Sequence, residues 1–320
     1  MNFLHTFSPQ PILFHLGFVT VYWYGLLMAL AILAGLSVSV RVAKWHGVKA
    51  EVIYDLFFYV VSAGFIGARI FYVLYNPIYF WQRPLDIFKI WQGGIAIHGA
   101  LIFGVLAIIW FARHLTPDPA SPAGGPSPSK GEGSYVLSQS PLLSKGKELK
   151  AGEVFWKLAA IIAPGLALGQ AIGRWGNYFN QELFGQPTNL PWGIPIDLAD
   201  RPVGFEQFNY FHPTFLYESI GSLAIFGVLL YWHWHKTHNA KRITQNAEND
   251  GRNCYMLYVI CYVFLYSTLR FLIEFLRIDP TAGSVLGVRA TMGLSFLLMT
   301  SALAGVIFLL SKYFKRKASS

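Results

Sequence analysis

Seven apolar stretches leave this chain few ways to fold. They run over roughly 18–40, 54–76, 92–112, 155–173, 214–233, 254–275 and 290–311. A helix of about 20 residues crosses a hydrocarbon core about 30 Å thick, and each stretch meets that length. Inside lipid a helix satisfies its own backbone hydrogen bonds. The fourth stretch carries Pro164 and Gly165, an interruption that a transmembrane helix tolerates. The expectation is an all-α membrane protein with seven transmembrane helices in one membrane domain. Composition agrees: 54% of the residues are hydrophobic and 13% charged, whereas soluble domains carry about a quarter charged residues.

Lys and Arg are distributed unevenly between the two sets of helix ends. One set holds 17 of the 25, from Arg41 and Lys44 to the run Lys312–Lys317, and the other holds 6. Positive charge collects on cytoplasmic loops, which predicts an outer N-terminus and a cytoplasmic C-terminus. The same rule explains the net charge of +9 without nucleic acid. Met1–Gln10 lacks a basic region, so no cleaved signal peptide is expected. Cys254 and Cys261 lie in an apolar run and form neither a C-x-x-C motif nor a zinc spacing. His233, His235 and His238 stand among basic neighbours without a carboxylate, which reads as an interfacial segment; no metal site and no cofactor are expected.

The expected layout has three parts. Residues 1–115 hold spans 1–3, residues 116–152 form a linker, and residues 153–320 hold spans 4–7. The linker is rich in Pro, Gly and Ser over Thr116–Gly133 and basic over Lys145–Lys150, so disorder on the cytoplasmic side is expected. Asn76–Trp91, with Trp81, Arg83 and Lys89, reads as an interfacial connection. Residues 186–211, between spans 4 and 5, form a small extracytoplasmic segment with four prolines. It is too short for an independent core.

Ionisable groups within such spans mark function by default. The densest cluster is Gly173–Gly185, reading G-R-W-G-N-Y-F-N-Q-E-L-F-G. An arginine at the membrane edge needs an anionic partner, asparagines supply donors and acceptors, and glycines let the backbone come close to a ligand. The bland alternative is a polar turn closing a helix hairpin. Arg69, in span 2, either pairs with a buried carboxylate or binds a lipid phosphate. His98 lies in G-G-I-A-I-H-G at the start of span 3, either as a satisfied core histidine or as a proton acceptor. Tyr24, in V-Y-W-Y-G, belongs either to an interfacial aromatic belt or to a site. Tyr266, Arg270 and Glu274 recur every four residues and so share one helix face.

Together these motifs resemble the prolipoprotein diacylglyceryl transferases. Gly173, Arg174, Gly176, Asn177, Asn180, Glu182 and Gly185 match the signature G-R-x-G-N-F-x-N-x-E-x-x-G, with Tyr178 in place of Phe. Gly93–Gly99 resembles G-G-x-x-x-H-G, and Tyr266–Arg277 resembles Y-x-x-x-R-F-x-x-E-F-x-R. His212–Glu218 resembles H-P-[ST]-Q-L-Y-E, with Phe215 replacing Gln. The resemblance implies transfer of a diacylglyceryl group from phosphatidylglycerol to the lipobox cysteine of a prolipoprotein signal peptide, releasing glycerol phosphate. It implies an enzyme in the bacterial inner membrane, with its site toward the outer leaflet of the lipid bilayer.

Under that reading Arg174 and Arg270 stabilise the departing phosphate. His98 accepts the thiol proton. Asn177, Tyr24 and Tyr266 orient phosphate and glycerol oxygens, and Asn180, Gly185 and Arg69 complete the substrate site. Glu182 and Glu274 hold the arginines. The alternative is a lipid or anion transporter lined by intramembrane arginines. No internal repeat supports it, and no H-E-x-x-H, G-x-S-x-G or paired-aspartate motif supports an intramembrane protease.

Overall fold

The computed structural model describes residues 2–17, 19–90, 93–116, 150–240, 251–278, 284–285 and 288–318. Seven of its helices are long and apolar enough to cross a membrane. In chain order the helices are α1 (Asn2–Thr6), α2 (Trp23–Trp45), α3 (Ala50–Tyr75), α4 (Pro77–Gln82), α5 (Ile97–His114), α6 (Ala151–Phe179), α7 (Thr214–Ala240), α8 (Gly251–Glu274) and α9 (Ala290–Ala318). Three antiparallel strand pairs join them. These are β1 (Ile12–Leu16) with β2 (Val19–Tyr22), β3 (Ile194–Pro195) with β4 (Tyr210–Phe211), and β5 (Ser284–Val285) with β6 (Val288–Arg289). The linker expected over 116–152 falls for the most part outside the described residues, as does Trp91.

Two helix ends differ from the sequence reading. The first span begins at Trp23, because Val19–Tyr22 pairs with Ile12–Leu16 instead of entering the helix. The fourth continues through Pro164 to Phe179, so Arg174 and Asn177 are helical residues and not part of a turn. Helix propensity is a weak guide to such ends, and apolar content alone does not separate a strand from the first turn of a helix.

The chain divides into two compact units. The first comprises Met1–Ser39 and Ile162–Ser320. Within it α2 and α6 approach through small residues. A Cβ on Gly165 would meet the Gly35 carbonyl and Ser39 Oγ, and one on Gly169 would lie 3.3 Å from the Ala31 carbonyl oxygen. Lipid is as apolar as leucine, so helices in a bilayer associate by close contact of this kind. Ala163 and Ala167 of α6 pack with Ile225 and Leu229 of α7, and Tyr262, Leu265, Tyr266 and Leu269 of α8 close over them.

The connection after α6 shares a core with the helix ends. Phe184, Ile194, Ile196 and Phe211 are buried with Tyr178 and Phe215. Phe215, which replaces a glutamine of the family pattern, stacks on Tyr178 at 4.6 Å and meets Trp175 edge-on.

The second unit comprises Val40–Ile161 and is built on α3 and α5. Gly67 faces Phe103, and Gly99 lies directly against the Gly67 carbonyl. Ala96 N donates to the Ala68 carbonyl at 3.0 Å, which fixes the start of α5 on α3.

Candidate active site

Glu218 lies in the first turns of α7, and its carboxylate is buried, with 3% of the side chain accessible. Arg174 Nε contacts one of its oxygens and Arg270 Nη1 the other. Both arginine side chains remain partly accessible, at 20% and 14%. A second carboxylate, Glu274, takes Arg270 Nη2 at 3.3 Å and Arg277 Nη1 at 3.9 Å, and accepts from Thr291 Oγ1 at 2.8 Å. Three arginines therefore face two carboxylates directly.

Arg174 has two further partners. Its Nη1 donates to Asn177 Oδ1 at 3.3 Å, one helical turn along α6, and its Nη2 to Tyr266 Oη at 3.4 Å. Asn177 Nδ2 passes the network on to Glu182 Oε1 at 2.8 Å, which also accepts from Asn180 at 3.3 Å. The contact of α6 with α7 is pinned beside the arginines: Trp175 Nε1 donates to Ser219 Oγ, which donates to the Ala171 carbonyl at 2.9 Å.

Tyr24 reaches the same unit through Gly176. A Cβ there would lie 2.7 Å from the tyrosine ring, so only glycine lets the ring lie against the helix beside Arg174. Gly185 is a three-way joint. Its N–H donates to the His212 carbonyl at 2.9 Å, and a Cβ would lie 2.8 Å from both His212 Cβ and the Leu276 carbonyl oxygen.

Glu182 stands in a left-handed turn, between Gln181 (φ 51°) and Leu183 (φ 56°). Such backbone is costly for residues other than glycine and persists where the surroundings hold it. Here Gln181 Nε2 donates to the Pro9 carbonyl and to Asp197 Oδ2, while its Oε1 accepts from Asp197 N at 2.7 Å.

The structure thus brings Tyr24, Arg174, Asn177, Asn180, Glu182, Gly185, Tyr266, Arg270 and Glu274 into one unit. It corrects one expectation. The arginines share Glu218, whereas Glu182 makes no ion pair among the described residues and serves the asparagines. Glu218, the last residue of the His212–Glu218 motif, is a site residue that the sequence reading does not include. The available signal was a carboxylate four residues into an apolar helix, which needs a cation.

Arg69 and His98 belong to the other unit. Arg69 has no carboxylate partner among the described residues; its guanidinium faces backbone carbonyls. His98 is exposed at the start of α5, its ring 5.9 Å from that of Phe71, and its nitrogens have no hydrogen-bond partner among the described residues. His233, from the histidine run, is buried flat on Tyr258, 4.1 Å between ring centroids. No group of three His, Cys, Asp or Glu side chains that could hold a metal occurs among the described residues.

A helical protein that can cross a membrane seven times, carrying a buried carboxylate shared by two arginines, is a polytopic membrane protein with a built cationic site. Comparison with known proteins makes the class specific. The family described as prolipoprotein diacylglyceryl transferase matches residues 11–120 and 143–309, and the chain belongs to that family. A protein of Trichormus variabilis named phosphatidylglycerol–prolipoprotein diacylglyceryl transferase is 38% identical over 309 residues, covering 97% of this chain and 92% of the relative. Proteins with the same name from a Synechocystis species (35%, covering 95% of this chain and 92% of the relative) and a Nostoc species (40%, covering 87% and 82%) are similar.

Proposed function

We propose that this protein transfers the diacylglyceryl group of phosphatidylglycerol to the cysteine thiol of prolipoproteins. The thiolate sulfur attacks the glyceryl carbon that carries the phosphate ester. A C–S bond forms, the C–O bond breaks, and glycerol phosphate leaves with the electron pair. The thiol proton passes to a base. The acceptor cysteine is that of a lipobox, and the site opens to the outer leaflet of the inner-membrane bilayer, with the N-terminus outside.

The observation that carries the reading is the pair Arg174 and Arg270 on Glu218. The shared carboxylate holds the two guanidinium groups near each other without using all their donors. Each guanidinium has five N–H groups. Among the described residues Arg174 engages three partners and Arg270 two. The remaining edges suit the oxygens of a phosphate diester, and preorganised donors of this kind stabilise charge as it develops on the leaving group. Tyr24, Tyr266 and Asn177 orient lipid oxygens, and Asn180 and Glu182 set the asparagine amides. Gly185 acts by allowing the chain segments around it to meet. His98, whose ring nitrogens have no hydrogen-bond partner among the described residues, takes the thiol proton.

The direct test incubates the purified protein with phosphatidylglycerol labelled in its acyl chains and a peptide containing a lipobox. Label on the peptide cysteine, with release of glycerol phosphate, is the expected result. Lipid moved between leaflets without labelled peptide would instead indicate a transporter.

A further inference from the structure

We infer that Arg69 is a positioning residue, which holds the turn leading into the His98 helix and does not bind lipid phosphate. The inference rests on the proton-acceptor reading of His98 given above.

Arg69 is buried in the last third of α3. Its Nε donates to the Ile87 carbonyl at 2.9 Å and its Nη2 to the Asp86 carbonyl at 2.6 Å. Both hydrogens of Nη1 are used, on the Gly93 carbonyl at 2.8 Å and the Gly94 carbonyl at 2.7 Å. Four of the five N–H groups are thereby committed to peptide oxygens. The rings of Tyr72 and Phe80 lie 5.7 and 5.4 Å from the guanidinium carbon and cover it. The one N–H without a partner among the described residues lies under two aromatic rings and does not make a bidentate phosphate site.

What the guanidinium does hold is the approach to α5. Two successive carbonyls point at one nitrogen because Gly93 and Gly94 both have positive φ, 86° and 77°. A Cβ on Gly94 would lie 2.6 Å from Arg69 Nη1. The next anchors follow at once: Ala96 N on the Ala68 carbonyl, then Gly99 against Gly67. His98 sits between these two anchors. The charged clamp, the backbone bond and the glycine contact all lie on consecutive residues of α3, Gly67 to Arg69. They set where the imidazole projects. A lysine offers three donors on one nitrogen and cannot span four carbonyls in a plane.

The test is a mutant cycle in the transfer assay, with phosphatidylglycerol varied in mixed micelles and each variant's melting temperature measured. Arg69→Lys is expected to lower kcat by about ten- to a hundredfold, the scale of misplacing a reacting group by about 1 Å, with KM for phosphatidylglycerol within about twofold. In a His98→Gln background the same change should cost nothing further, because Arg69 acts through the imidazole. A KM that rises in proportion while kcat is kept would overturn the inference in favour of a phosphate ligand. Losses that multiply in the double variant would overturn the route through His98. If Arg69→Lys does not fold, Gly94→Ala carries the same cycle, since it keeps the arginine in the sequence while its methyl group crowds Nη1 and disturbs the clamp. If His98→Gln alone keeps full activity, the proton-acceptor reading fails, and a clamp is still told from a ligand by whether KM changes in Arg69→Lys.

Discussion

Arg174 and Arg270 engage opposite oxygens of the same buried carboxylate, Glu218. Neither guanidinium is placed by its own helix alone. Arg174 comes from α6, Arg270 from α8, and the anion that gathers them from α7. Removing one member of a buried ion group leaves the others uncompensated, which commonly costs about 3–5 kcal/mol. Glu218→Ala should lose stability on that scale by chemical denaturation in detergent. Glu218→Gln keeps the shape and should recover part of the stability but not the activity, because the arginines are no longer drawn together. Arg174→Lys should keep the protein folded and lose about 2–4 kcal/mol of transition-state stabilisation in kcat/KM, the scale of one preorganised donor. Equal activity in the lysine variant would show that net charge, not the planar fork, is what matters.

Tyr178 and Phe215, the two departures from the family pattern noted above, are in contact with each other at 4.6 Å. Phe215 is 3% exposed and lies among Trp175, Tyr178 and Leu216. Restoring the family residue with Phe215→Gln would place an amide in an apolar cluster. A buried amide without partners costs about 1–3 kcal/mol. A lowered unfolding midpoint with unchanged kcat in the folded protein is the expected pair of results. A variant as stable as the parent would mean that the amide finds partners there.

His212 gives a pH dependence whose sign can be worked out. Burial holds its imidazole below the ordinary value of 6.5. Its Nδ1 lies 3.1 Å from Tyr217 Oη, which also accepts from Trp192 Nε1. The unfolded chain binds the proton more readily than the folded one. The contribution to stability is therefore complete above about pH 6.5 and is lost as pH falls through the lower folded value. Melting temperatures measured from pH 7.5 down to 5 should fall less steeply in His212→Asn than in the parent. Parallel curves would remove His212 from the account.

Residues 121–142 fall between the two stretches that match the family. None of the proposed site residues lies there, and the composition is that of a linker. Replacing residues 117–149 with a short Gly/Ser segment should leave transfer activity within about threefold, measured per folded molecule. Complete loss of activity in an inserted, folded variant would assign the segment a role that its composition does not suggest.

The membrane architecture and the candidate residues were legible in the sequence for local reasons. A long apolar run must become a self-bonded helix in lipid, whatever surrounds it. The recurrence of Tyr266, Arg270 and Glu274 every fourth residue already placed them on one face, and the contact of Arg270 with Glu274 follows from that spacing. Arginines inside spans announced themselves by their cost.

Partners were not legible, because an ion pair between helices depends on how the helices are set against each other. That setting comes from small contacts far apart in sequence, such as Gly165 on Gly35 and Trp175 on Ser219. Only those contacts decided that Glu218 and not Glu182 joins the arginines, and that Phe215 meets Tyr178. Within the other unit, the contact of Gly99 with Gly67 and the bond of Ala96 N to the Ala68 carbonyl bring Arg69 to face carbonyls. The sequence by itself determined which segments cross the membrane and which side chains needed partners there. The tertiary structure decided which partners they received, since the energy of a buried charge is settled by the few atoms within reach of it.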